Sequence, residues 1–122
     1  MSEKKTKYDI IIIGAGPAGY TAGIYCSRAR RDTLLISGIL PGGQLMNTTD
    51  VENYPGFDEG IMGPDLMIIM RKQAEKMGTE IVDDEVVTVD FKSNPLKVST
   101  ASSTFEANSV IVCTGANPRK IG

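Results

Sequence analysis

A chain of 122 residues suits a single domain, and 41% apolar with 23% charged residues describes a globular rather than a disordered one. A net charge of −2, with both signs interspersed, leaves no basic footprint for nucleic acid or for an anionic membrane. The chain has no histidine, which argues against zinc sites and histidine-dependent triads.

The N-terminus is short and lysine-rich. The apolar run behind it, residues 10–13, is too short for a signal-peptide core or a membrane span, so the expected compartment is the cytoplasm. Residues 8–13 are apolar and β-branched between lysines and glycines, the pattern of a buried parallel strand. A helix is predicted over 17–30, with Pro17 suited to its first turn. Its expected inward face is Ala18, Ala22, Tyr25, Cys26 and Ala29, and Arg28, Arg30 and Arg31 complement its C-terminal dipole. Residues 33–36 form a second short strand, completing a βαβ unit with a right-handed crossover.

Residues 37–63 are rich in glycine and proline and lack periodicity, which predicts an ordered, ligand-facing loop anchored by Leu45, Met46, Val51, Tyr54 and Phe57. A second helix is predicted over 64–77, stopped by Gly78, with Leu66, Ile69, Met70, Gln73, Ala74 and Met77 facing inward. Residues 79–82 predict another parallel strand. The segments 86–91, 95–100 and 104–107 predict a three-stranded antiparallel meander, and 110–113 a returning buried strand.

The motif that carries chemistry is Gly14-Ala15-Gly16-Pro17-Ala18-Gly19, followed by Gly23, placed between a predicted strand and a predicted helix. Gly14 permits the tight turn, Gly16 lets backbone approach a diphosphate, and Gly19 and Gly23 allow close helix–sheet packing. The helix N-terminus offers unpaired N–H groups and partial positive charge to that diphosphate. The motif does not separate FAD from NAD(P). An acidic residue normally follows at the end of the second strand to hold the ribose. Here that place is taken by Ser37-Gly38.

Further along, Pro41-Gly42-Gly43-Gln44-Leu45 and Thr48-Thr49-Asp50-Val51-Glu52-Asn53-Tyr54-Pro55-Gly56-Phe57 resemble segments of the low-molecular-weight thioredoxin reductases. Ile61-Met62-Gly63-Pro64-Asp65-Leu66 and Val110-Ile111-Val112-Cys113-Thr114-Gly115-Ala116 add two more matches, in order, from about Tyr8 to Gly122. The resemblance implies a Rossmann-like α/β fold: a three-layer ββα FAD/NAD(P)-binding domain with a parallel sheet, helices on one face and the meander on the other.

For the site, the resemblance implies that Gly14, Ala15, Gly16, Pro17 and Ala18 cradle the FAD diphosphate, with Ser37 and Gly38 by the adenosine ribose. Gly43, Gln44 and Leu45 would line the flavin side, and Thr48 and Asn53 would bond cofactor polar atoms. Val86 would meet the adenine through its backbone, and Thr114 and Gly115 would close near the diphosphate. In the family, hydride passes from NADPH to FAD, and electrons then pass to a Cys-x-x-Cys disulfide and on to thioredoxin. Cys26 and Cys113 lie 87 positions apart and form no such pair, and no second glycine fingerprint for NADPH follows. Both cysteines are expected to be small buried hydrophobes.

The expected reading is therefore the FAD-binding segment of a thioredoxin reductase-like flavoprotein, residues 1–122. It would carry no catalytic residue of its own and be inactive alone, a truncated piece handing over at Pro118-Arg119-Lys120-Ile121-Gly122. A homodimer, or an uncovered sheet edge, fits that reading. The alternatives are a non-catalytic nucleotide-binding module, or the FAD half of a related ferredoxin–NADP reductase or peroxide-reductase flavoprotein.

Overall fold

The structure is a computed structural model that describes residues 5–39 and 41–115. The expected handover at Pro118–Gly122, and Ala116 of the last matching segment, lie outside the described residues. Among the described residues, eight strands and two α-helices run in the order β1 (Lys7–Ile13), α1 (Pro17–Arg28), β2 (Thr33–Ile36), β3 (Asp50–Val51), β4 (Ile61–Met62), α2 (Gly63–Met77), β5 (Glu80–Val82), β6 (Val86–Asp90), β7 (Leu96–Thr100) and β8 (Thr104–Val112). Six strands make one sheet in the order β5-β2-β1-β8-β7-β6, while β3 and β4 pair by themselves. The contacts β5–β2, β2–β1 and β1–β8 are parallel, and β8–β7 and β7–β6 antiparallel.

Burial divides the molecule into layers. On the helix side, Ile12 and Leu35 of the sheet pack with Tyr20 of α1 and Leu66, Met67, Met70 and Ala74 of α2. On the opposite side, Ile11, Leu34 and Ile36 pack against Val98 and Phe105 of the meander. Consecutive residues of β1 and β2 thus serve opposite layers, which is why both strands read as unbroken apolar runs.

The meander differs from its sequence reading in one respect. Its third strand and the returning strand are a single strand, β8, because Asn108 and Ser109 remain in extended pairing. The first part of β8 pairs with β7 up to Ala107, and the rest continues along β1 from Glu106 to Val112. The polar pair looked like an interruption, but the ladder to β1 satisfies its backbone groups. The far edge strand, β6, leaves Val87 and Val89 exposed.

The inward face of α1 is also shifted from its expected position. Tyr25 is 68% exposed, and Ala18 and Ala29 are exposed too, whereas Gly19, Tyr20, Gly23 and Ser27 are buried. Close approach of helix to sheet decides this. A side chain at Gly19 would place its Cβ 1.9 Å from the Gly14 carbonyl oxygen, so only glycine fits at that point of the buried face, while Tyr20 beside it fills the helix-side core. In α2, Met67 is buried, while Ile69 and Gln73 are exposed. The stripe follows Gly63, Leu66, Met67, Met70 and Ala74, with i, i+3, i+4, i+7 spacing.

A buried polar contact fastens α1 to the segment after α2. The Thr79 hydroxyl donates to the Gly23 carbonyl at 2.9 Å and lies 2.7 Å from the Ser27 hydroxyl. Since Thr79 has one proton to give, Ser27 donates to Thr79. Thr79→Val is therefore expected to cost about 1–3 kcal/mol, because it strands the buried Ser27 hydroxyl. Ser27→Ala is expected to cost less, since Thr79 keeps its acceptor. Urea unfolding of both variants checks the order, and a larger loss for Ser27→Ala would contradict this account.

The described residues of the 37–63 segment carry regular structure and pack on the core. Residues Gly43–Asn47 form a 3-10 turn, and the short β3–β4 ladder closes the loop that carries residues 52–60. Val51 is buried, and Leu45, Tyr54 and Phe57 pack on the helix-side core. Met46, expected among the anchors, is instead partly exposed, its side chain lying over Gly42 at the edge of that core. Among the described residues no helix is long and apolar enough to cross a membrane.

Candidate dinucleotide site

The C-terminal ends of the parallel strands open onto a cavity of ≈ 1010 Å³. Ligands of open α/β sheets bind at this end. From the glycine turn it takes Gly14, Ala15, Gly16 and Pro17. Ser37 and Gly38 enter it from the end of β2, and Gly43, Gln44 and Leu45 from the 3-10 turn. Val86 comes from the start of β6, and Thr114 and Gly115 from the end of β8. Ala18, Thr48 and Asn53 lie outside this lining. Thr48 donates its hydroxyl to the Gln44 carbonyl, and Asn53 lines a separate shallow cleft formed by residues 52–58.

The glycine turn shows why its residue types are needed. Gly14 has φ of +113°, and a Cβ there would lie 2.0 Å from the Cys113 carbonyl oxygen, so β1 can turn beside β8 only without a side chain. Gly16 is different: a Cβ on it would meet no protein atom closer than the Gly42 carbonyl at 4.0 Å. Protein packing leaves that space vacant on the cavity side. Gly16 is also the N-cap of α1. It provides no side-chain cap, Pro17 follows, and the first turn holds no acidic residue. The N–H groups at that end are therefore left for an anion.

Sequence reading missed several lining residues. Asn47 and Glu85 are polar additions, and Ile39, Val89, Phe91 and Val112 supply apolar surface, beside Cys113 of the last matching segment. These four apolar side chains are exposed, Ile39 at 70%, on the wall where a flat aromatic group could lie. Their signal was hidden because strand alternation does not reveal which outward-facing residues overlook a cavity formed by distant segments. Burial pushes the Cys113 thiol above its ordinary pKa, so it stays protonated at neutral pH. Among the described residues no group of three or more histidine, cysteine, aspartate or glutamate side chains could hold a metal ion.

The segment after β5 is fixed to the end of β2. The Ser37 and Gly38 N–H groups donate to the carbonyls of Val82 and Asp84, at 2.9 and 2.8 Å. Asp83 accepts two bonds from the Arg71 guanidinium, both 2.8 Å, tying the same segment to α2. That pairing holds the Asp83 carboxyl below its ordinary pKa, against a smaller opposing effect of burial. A lowered folded-state value means that the stabilisation is present above the unfolded value and is lost as pH falls through the folded one. The carboxylate is 51% exposed, so solvent screening keeps the pair's worth near 0.5–1 kcal/mol. Asp83→Asn should lower stability by about that much at neutral pH. The gap from the parent should begin to shrink as pH falls below the ordinary carboxylate range and should close only in more acid solution, once the lowered folded-state Asp83 is itself protonated. Urea unfolding at neutral and at acid pH checks this, and a gap of equal size in acid would remove the ion pair as its cause.

A turn from strand to helix through three glycines, at the end of a parallel sheet and facing a large cavity, defines a dinucleotide-binding type of α/β unit. Residues 8–122 match the pyridine nucleotide-disulphide oxidoreductase family, and the chain belongs to it. Within the family its relatives are thioredoxin reductases. That of Rickettsia bellii (strain RML369-C) is 58% identical over 114 residues, covering 93% of this chain and 37% of the relative. That of Streptomyces clavuligerus is 53% identical over 116 residues, covering 93% and 36%. Among solved structures, thioredoxin reductase from Giardia duodenalis superposes with a TM-score of 0.89 at 41% identity, covering 97% of this chain and 38% of that one. A ferredoxin-flavin thioredoxin reductase from Clostridium acetobutylicum gives 0.82 at 27% identity, covering 94% and 40%. The chain thus spans somewhat more than a third of the length of these proteins.

Proposed function

We propose that this chain is one FAD-binding unit, the part of a thioredoxin reductase-type flavoprotein that holds and orients the cofactor. The observation carrying this reading is the vacant space at Gly16, beside an uncapped helix N-terminus, on the floor of the cavity. A diphosphate fits there because backbone amides can reach it with no side chain intervening. The adenosine would lie toward Ser37, Gly38 and Val86. The flavin would extend past Gly43, Gln44 and Leu45 toward Thr48 and Asn53, with Thr114 and Gly115 near the diphosphate. When bound, FAD supplies the two-electron chemistry. The chain's own part is binding, orientation and an apolar wall. We assign it no catalytic residue, since Cys26 and Cys113 are free and form no Cys-x-x-Cys pair.

In the whole protein the acceptor would be thioredoxin, with NADPH as electron donor, in a cytoplasmic homodimer. Ferredoxin as donor is a second reading, favoured by the likeness to the clostridial ferredoxin-flavin enzyme. The deciding experiment is an absorption spectrum of the purified protein before and after incubation with excess FAD and desalting. Retained flavin bands support the reading, and bleaching by NADPH or by reduced ferredoxin then separates the two donors. A protein that stays colourless after loading would set the FAD assignment aside.

A further inference from the structure

The end of β2 carries Ser37-Gly38 where dinucleotide folds place the acid that binds the adenosine ribose. We infer that Glu85, from the segment between β5 and β6, supplies that carboxylate and is the ribose-binding residue of this site. The inference rests on the nucleotide reading above and adds a residue to it.

Three acids follow one another here, and the structure distinguishes them. Asp83 is committed to Arg71 through two hydrogen bonds. Asp84 accepts the Glu85 N–H on Oδ1 at 2.8 Å and the Ser102 hydroxyl on Oδ2 at 3.4 Å, so it acts as the local turn-former. Glu85 alone of the three lines the cavity, and its carboxylate has no hydrogen bond or ion pair among the described residues. Its place is fixed by its neighbour, since the Asp84 carbonyl accepts the Gly38 N–H at 2.8 Å. Glu85 therefore stands one residue from the strand end where the missing acid would have been, and beside Val86 on the same wall.

The chemistry follows from charge. A carboxylate accepts bonds from both hydroxyls of a ribose 2′,3′-diol, and charge-assisted bonds of this kind are the stronger ones. The same negative charge repels a ribose carrying a 2′-phosphate. The site should therefore favour an unmodified adenosine diphosphate moiety, as in FAD, over a 2′-phosphorylated one.

The test measures binding of ADP, 2′,3′-dideoxy-ADP and 2′-phospho-ADP by calorimetry, to the protein and to Glu85→Ala and Glu85→Gln. Loss of the diol should weaken binding to the parent about tenfold, and Glu85→Ala should weaken ADP binding by a similar factor. The Ala variant should then bind ADP and dideoxy-ADP alike and tolerate the 2′-phosphate better than the parent does. Glu85→Gln, which keeps an acceptor without the charge, should lie between. If diol removal costs the Ala variant the same factor as the parent, Glu85 does not touch the ribose, although the nucleotide reading stands. If the parent binds neither ADP nor FAD, both fall together.

Discussion

Replacing Gly14 with alanine is expected to cost about 2–5 kcal/mol, a large part of the stability of a domain this size. Two effects add. The backbone sits at φ +113°, where an L side chain is strained by about 1–2 kcal/mol. The new Cβ would also stand 2.0 Å from the Cys113 carbonyl oxygen and 2.6 Å from its carbon. Both are backbone atoms of the chain that continues β8, so no rotamer change relieves the overlap, and β1 and β8 must move apart. Separating them disturbs the longest parallel ladder of the sheet, from Lys7 to Ile13. Thermal unfolding should show a midpoint lower by on the order of 10–20 °C, or no cooperative transition. A midpoint within a few degrees of the parent would mean that the turn relaxes in some way this packing does not permit.

The second large effect should appear in binding. Gly16→Ala is expected to change stability by only about 0.5–1 kcal/mol, the usual cost of alanine at a helix N-cap. The backbone is ordinary, at φ −108°, and a Cβ has room. That methyl would occupy the space through which a diphosphate reaches the α1 amides. Holding a phosphate further away forfeits charge-assisted bonds of about 1.5–3 kcal/mol, so FAD affinity should fall about 10- to 100-fold. Fluorescence titration with FAD, beside urea unfolding of the same variant, separates the two quantities. Unchanged affinity would mean that the diphosphate lies elsewhere, whereas a large stability loss would mean that the vacancy serves folding. Gly14 and Gly16 are two residues apart in one motif, yet they should fail in opposite assays.

Local patterns settled much of this protein before any tertiary contact was considered. The strand–glycine turn–helix order, Pro17 at the first turn of α1, Gly78 at the end of α2 and the short polar turns of the meander are all sequence-local signals. So is the glycine motif, because a tight turn and an approachable backbone require glycine wherever they occur. Local patterns could not decide which side of each helix is buried. On α1 the sheet approaches so closely at Gly19 that no side chain fits there, the buried stripe is Gly19, Tyr20, Gly23 and Ser27, and Tyr25 is turned outward. Hydrophobicity ranks side chains, but it does not register the points where close contact between helix and sheet excludes one. Nor could the continuity of β8 be read locally, since Asn108 and Ser109 are held by a partner strand about a hundred positions away. The same applies to the cavity. Ser37, Gly43, Glu85, Val86 and Thr114 come from five separate segments, and they meet because the parallel strands all end on one side of the sheet. Residue types and turns are dictated along the chain; which of them face one another is dictated by how closely helices and sheet can pack.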